Sequence, residues 1–205
     1  MWHAVGHEIM SPLQSLMALH GGRDDDPSAR YISRMQQAVR VLYGQASPSE
    51  AFESTTLALE TVDLDAFLGH VAGNAGYIGI ERVEYARLGT PVLVRADEHS
   101  LEDVVTHVLR NADRHRTPGT PIRITLAAAG QSVQMSLHNQ GPSIPEDSLG
   151  RIFEYGVSDA PDAGAAGRRG QGLFVARTYM SKMGGTIVAR NESDGVAFVL
   201  SLPPA

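Results

Sequence analysis

Pro121-Ile-Arg-Ile-Thr-Leu-Ala-Ala-Ala-Gly130-Gln131-Ser132-Val-Gln-Met-Ser-Leu-His-Asn139 holds two runs, Pro121 to Ala128 and Ser132 to Asn139, in which apolar and polar residues alternate. A period of two puts every second side chain on one face of a strand, and the break at Gly130-Gln131 suits a tight turn, so an antiparallel pair is predicted. Thr186 to Asn191 and Val196 to Leu202 predict a second such pair. Upstream, the spacing predicts helices over Asp63 to Asn74 and Glu98 to about His115, with strands near Val83 to Leu88 and Val92 to Arg95 between them. Strands that arrive as hairpins, with helices to cover one face, make an α+β sandwich and not the strand-helix-strand alternation of a parallel sheet.

The N-terminal quarter has a different period. Val5, Ile9, Leu13, Leu16 and Met17 recur at three- and four-residue steps, which predicts an amphipathic helix from Trp2 to His20, stopped by Gly21-Gly22. Ser28 is suited to cap a second helix whose stripe is Ile32, Met35, Val39 and Leu42. A hairpin with one apolar stripe per helix buries little surface alone, so a homodimer forming a four-helix bundle is expected. Gln45 to Thr56 is rich in Ser, Pro and Glu without clear periodicity, the composition of a linker. The expected division is a hairpin at 1–47, a linker at 48–56 and an α/β domain at 57–205.

Composition excludes several classes. With 42% hydrophobic and 20% charged residues over 205 positions, the chain is globular, and no run approaches the roughly 18 apolar residues of a membrane span. No membrane contact by these residues is therefore expected; the absence of cysteine removes disulfides, thiol catalysis and cysteine zinc sites, and fits a reducing, cytoplasmic setting. A net charge of −6 argues against the basic face that nucleic acid requires.

Four constellations carry chemistry. The first, His7-Glu8-Ile9-Met10-Ser11-Pro12, sets an imidazole beside a carboxylate on the first helix. A neutral, exposed imidazole nitrogen can attack a phosphoryl group, and the neighbouring carboxylate can orient the ring and take its proton. Pro12 cannot donate to the Glu8 carbonyl, so a bend next to His7 is expected. His3 stands one turn before His7, but two imidazoles without carboxylate or cysteine support make a poor metal site. The second is His107-Val-Leu-Arg-Asn111-Ala-Asp-Arg114-His115, and the third is His138-Asn139-Gln140-Gly141-Pro142-Ser143-Ile144, followed by Ile152-Phe153-Glu154. The fourth runs through Arg168-Arg169-Gly170-Gln171-Gly172-Leu173 into an apolar helix. Glycines opening a helix present N–H groups and a positive dipole end to phosphate oxygens.

In their order and spacing these stretches resemble the phosphoacceptor, N, G1, F and G2 boxes of sensor histidine kinases. Their catalytic domain is a GHKL (Bergerat) ATP-binding sandwich. The resemblance implies an autokinase that moves the γ-phosphoryl group of Mg-ATP to His7, then to an aspartate of a response regulator receiver domain. The parent protein of such a core can be attached to the inner membrane. Glu8 is implied as general base, and Ser11 stands where relatives carry Thr or Asn to orient a water for dephosphorylation. Asn111 is implied as a Mg2+ ligand, with His107 at a second metal-contacting position. Arg114, His115, Asn139, Gly141, Ile144, Phe153, Arg168, Arg169, Gly170, Gln171, Gly172 and Leu173 are implied to line the ATP site. Four departures from the family pattern stand out: His107 for Asn, Asn139 for Asp, and Ser143 and Arg168 for glycine. At position 107 hydrolytic relatives carry a water-activating Glu, so His107 favours transfer over ATP hydrolysis. The same departures define the alternative, a degenerate nucleotide-binding module that signals without turnover.

Overall fold

A computed structural model describes residues 57–155, 157 and 172–205. The expected hairpin with His7, Glu8 and Ser11, the linker, and Arg168, Arg169, Gly170 and Gln171 lie outside the described residues. In chain order the elements are β1 (Glu60–Asp63), α1 (Leu64–Asn74), a 3-10 turn (Ala75–Ile78), β2 (Val83–Tyr85), β3 (Leu93–Ala96) and α2 (Glu98–His115). Then follow β4 (Ile122–Ala129), β5 (Ser132–Gln140), a second 3-10 turn (Arg151–Phe153), α3 (Gly172–Lys182), β6 (Thr186–Glu192) and β7 (Gly195–Leu202).

Both expected hairpins are present. β4 and β5 pair antiparallel, with Ile124 opposite Leu137 and Leu126 opposite Met135, and Gly130 closes the turn at φ 62°, a left-handed conformation that suits glycine. β6 and β7 pair likewise, and β7 also lies beside β5, giving a five-stranded sheet in the order β2-β4-β5-β7-β6. Alternation decides the core face: Ile122, Ile124, Leu126, Val133, Met135 and Leu137 are buried, and Phe198, Leu200 and Leu202 of β7 share their face through the register. Onto that face α2 turns Leu101, Val104, Val105, Val108, Leu109 and Ala112, a stripe at helical spacing, while α3 adds Leu173, Ala176 and Met180.

Three details differ from the sequence expectation. β2 pairs with β4 in parallel, reached through β3 and α2, so one edge of the sheet has crossover geometry. The strand after residue 90 does not join that sheet; β3 pairs antiparallel with β1, an unanticipated strand, in a separate two-stranded ribbon. Finally β2 ends at Tyr85, not Leu88, because Asp65 of α1 claims the chain beyond it. The Asp65 carboxylate, 1% exposed, accepts from the Tyr85 hydroxyl at 2.7 Å, the Leu88 N–H at 2.7 Å and the Gly89 N–H at 3.2 Å, with Arg87 Nε at 3.3 Å. Donors turned into a buried carboxylate cannot serve a strand ladder.

Helix starts follow the sequence closely. Asp63 caps α1 through the Asp65 N–H at 3.1 Å and holds the Val92 N–H at 3.0 Å. Asp97 caps α2 through the Ser100 N–H at 2.8 Å, while its second oxygen accepts from the Ala58 N–H at 3.0 Å.

Candidate functional site

The candidate site is built around the C-terminal half of α2. His107 and Asn111 stand one turn apart, beside the buried stripe and half-buried themselves. Burial holds the His107 imidazole below its ordinary range; Asp103 opposes that and Arg110 adds to it, so the ring is neutral at neutral pH. A Cβ on Gly172 would stand 3.0 Å from His107 Nδ1, so the glycine at the start of α3 lets that helix end approach the ring. Two stretches 65 residues apart, implied to bind one ligand, therefore meet. Leu173, next along α3, is buried in the shared core.

The end of β5 forms the adjoining wall. Asn139 lies on the helix-covered face and is 2% exposed; its amide nitrogen makes a long 3.5 Å contact to the Gln140 carbonyl. Gly141 crosses the end of α2 so closely that a Cβ there would lie 2.5 Å from the His115 carbonyl oxygen and 3.4 Å from Arg116 Cα. The Thr117 N–H reaches the Gln140 carbonyl at 2.8 Å, and Arg116, bound to Asp113 at 2.6 Å and to the Thr120 carbonyl at 2.7 Å, shapes the connecting turn. Gly195 of β7 packs against the Asn139 carbonyl with no space for a side chain. The strand end is thus held from two sides.

The remaining expected residues are placed as follows. Phe153 is buried and meets Phe198 edge to face, ring centres 6.3 Å apart, so its role is to anchor the chain to the core. Ile144 is held by Asn191, which accepts from its N–H at 2.9 Å and donates to its carbonyl at 2.7 Å. The side chains of Arg114 and His115 are exposed at the C-terminal end of α2. Asn191 escaped the sequence reading because a β-strand asparagine 47 residues from its partner carries no local signal. Its register alone reveals it: Asn139, Val196 and Asn191 form one row across the sheet. Tyr155 and Phe174 also meet edge to face at 5.4 Å, one aromatic at each side of the segment that carries the fourth glycine-rich constellation.

Asn111 carries a hard carbonyl oxygen of the kind Mg2+ takes, whereas the imidazole of His107, one turn away, is a nitrogen donor that suits Mg2+ poorly. Among the described residues no helix is long and apolar enough to cross a membrane.

Residues 96–205 match the profile of the histidine kinase-, DNA gyrase B- and HSP90-like ATPases. Over 97% of its length the chain is 26% identical to the sensor protein VanSC of Enterococcus gallinarum, covering 59% of that protein. Against the swarming motility regulation sensor protein RssA of Serratia marcescens it is 28% identical, over 97% of this chain and 45% of that one. The chain spans about half the length of the curated relatives it matches. Among solved structures, the catalytic domain of histidine kinase ThkA superposes with a TM-score of 0.60 at 22% identity, over 72% of this chain and 97% of that one. Full-length ShkA in complex with AMPPNP gives 0.65 at 20% identity, over all of this chain and 45% of that one. The sequence profile and the shared sandwich agree with the meeting of the N-, G1- and G2-type stretches around α2, and the chain belongs to the histidine kinase-, DNA gyrase B- and HSP90-like ATPase family, within it to the sensor histidine kinases.

Proposed function

We propose that this chain is the autokinase core of a two-component sensor, binding Mg-ATP between α2, the end of β5 and the start of α3 and transferring the γ-phosphoryl group to His7. The observation that supports it most is the convergence of Asn111, Asn139, Gly141 and Gly172, from three separate segments, around the C-terminal half of one helix. The Asn139 amide oxygen accepts from the adenine amino group, and Gly141, unable to carry a side chain there, lets the base approach. Ile144 and Phe153 complete the wall beside the base. Asn111 would hold Mg2+, with His107 beside it; when bound, the ion neutralises charge on the triphosphate. Arg114, His115, Arg168 and Arg169 meet phosphate oxygens, and Gly170, Gln171 and Leu173 shape the loop that closes over them.

At His7 a ring nitrogen forms the N–P bond as the bond to the β-phosphate oxygen breaks, ADP leaves, and Glu8 takes the proton. The phosphoryl group then passes to an aspartate of a response regulator receiver domain, docked on a homodimeric hairpin, where Ser11 can orient the water that reverses the signal.

Incubation with γ-labelled ATP and Mg2+ tests this. Label should appear on the protein, be lost in acid, survive base, and be absent from His7→Ala, which still binds ATP analogues. Acid-labile label retained in His7→Ala would overturn the assignment of His7. A second reading, a nucleotide-binding module without turnover, draws on the neutral Asn139 and on His107 where relatives carry other groups. It predicts analogue binding with no label on the wild type.

A further inference from the structure

The face of β5 opposite Asn139 carries a group of residues that the nucleotide site does not use. His138 points away from the helices, and the turn between β6 and β7 brings Glu192 and Asp194 to it. His138 Nε2 lies 3.1 Å from Asp194 Oδ1 and 3.6 Å from Glu192 Oε2. That nitrogen is shut off from water by its neighbours and faces the two carboxylates, in ion-pair range of both. Two carboxylates closing on one buried imidazole nitrogen favour a cation among them.

The structure assigns to His138, Glu192 and Asp194 a binding site for a divalent transition ion of the Zn2+ class. Ligands about 2.0–2.1 Å from a tetrahedral ion stand roughly 3.3 Å from one another. The separations of 3.1 and 3.6 Å straddle that value, and all three ligand atoms lie within 4.8 Å of one another. One imidazole with two carboxylates leaves a fourth position for water, and the nitrogen favours Zn2+ over the oxygen-seeking Mg2+ or Ca2+.

The surroundings fit. Gln140 donates to the second oxygen of Asp194 at 2.9 Å, orienting the carboxylate from outside the ligand set. Ala197 stands next to His138 in the register and leaves the ring room. Two arginines share this row of the sheet: Arg123, opposite His138 on β4, is turned to Glu84 at 3.4 Å, and Arg190 lies beyond Ala197 on β6. Among the described residues this is the one group of three or more His, Cys, Asp or Glu side chains so arranged. An ion here would tie the β6–β7 turn to the strand end that presents Asn139 and Gly141, where the Gly141 N–H already meets the Asp194 carbonyl at 3.0 Å.

Calorimetric titration of the nucleotide-free full chain with ZnCl2 tests the site. One ion per chain is expected in the micromolar range, weakened at least tenfold in His138→Ala and several-fold in Glu192→Gln, whose exposed side chain can change without disturbing the fold. His3→Ala combined with His7→Ala should leave it in place, and millimolar MgCl2 should not displace it. In wild type, the imidazole nitrogen resonances of His138 should shift as zinc is added. Zinc binding unchanged in both His138→Ala and Glu192→Gln, or lost with the His3 and His7 pair, overturns the proposal.

Discussion

At the scale of single residues, substitution is sharpest where the chain leaves no slack. Asn139 is 2% exposed and uncharged. Asn139→Asp should lower stability without nucleotide by about 1–3 kcal/mol, because a buried carboxylate without a strong donor is poorly solvated. Nucleotide should offset part of that loss: a charged acceptor facing the adenine amino group gains roughly 1 kcal/mol over a neutral one, about fivefold in affinity. Thermal melts with and without an ATP analogue measure both. Gly141 offers a second test, since the Cβ of alanine would lie 2.5 Å from the His115 carbonyl oxygen. Gly141→Ala should cost about 1–3 kcal/mol as the strand end backs away from α2, read as a lower urea midpoint. Nucleotide affinity should fall with it.

At the scale of elements, one carboxylate joins α1 to the chain leaving β2. The Tyr85 hydroxyl, foremost, holds Asp65 below the usual carboxylate range; burial opposes this, while the Leu88 and Gly89 amides and Arg87 reinforce it. Burial first, and then the same bond, push the Tyr85 hydroxyl upward. A depressed carboxylate contributes stability that is complete above its unfolded value, about 3.9, and is lost as pH falls through the folded value. Stability of the wild type should therefore drop below about pH 4, and Asp65→Asn should be less stable at pH 7 but show a shallower acid decline. Chemical denaturation between pH 3 and pH 7 decides this. Equal slopes would mean that Asp65 is not coupled to folding.

At the scale of the whole molecule, the question is how the two expected parts are joined. The linker expectation at 48–56 predicts that limited proteolysis cuts there first and leaves a fragment close to 57–205 that still binds ATP analogues. Loss of analogue binding on cleavage would show that the N-terminal part completes the nucleotide site. Most of the core of Leu57–Ala205 comes from β4, β5, β7, α2 and α3, all of which announce themselves in local pattern, and α1 adds Leu64, Phe67, Leu68 and Val71. α2 runs over Glu98–His115 as its stripe predicts, and both hairpins appear within a residue or two of the expected bounds. β2, three residues long, and β1, four, are too short for a period to show, so their partners could not be inferred.

What the sequence determined by itself was whatever rests on neighbours along the chain: the alternation of the hairpins, the span of α2, and the spacing of the boxes that identify the family. What only the tertiary structure decided rests on residues far apart. Sheet order and register put β2 parallel to β4, turned Asn191 onto Ile144, set Gly141 against His115 and gathered His138 with Glu192 and Asp194. The physical reason is that hydrophobic periodicity chooses which face of a strand is buried, while pairing between distant strands chooses which side chains meet.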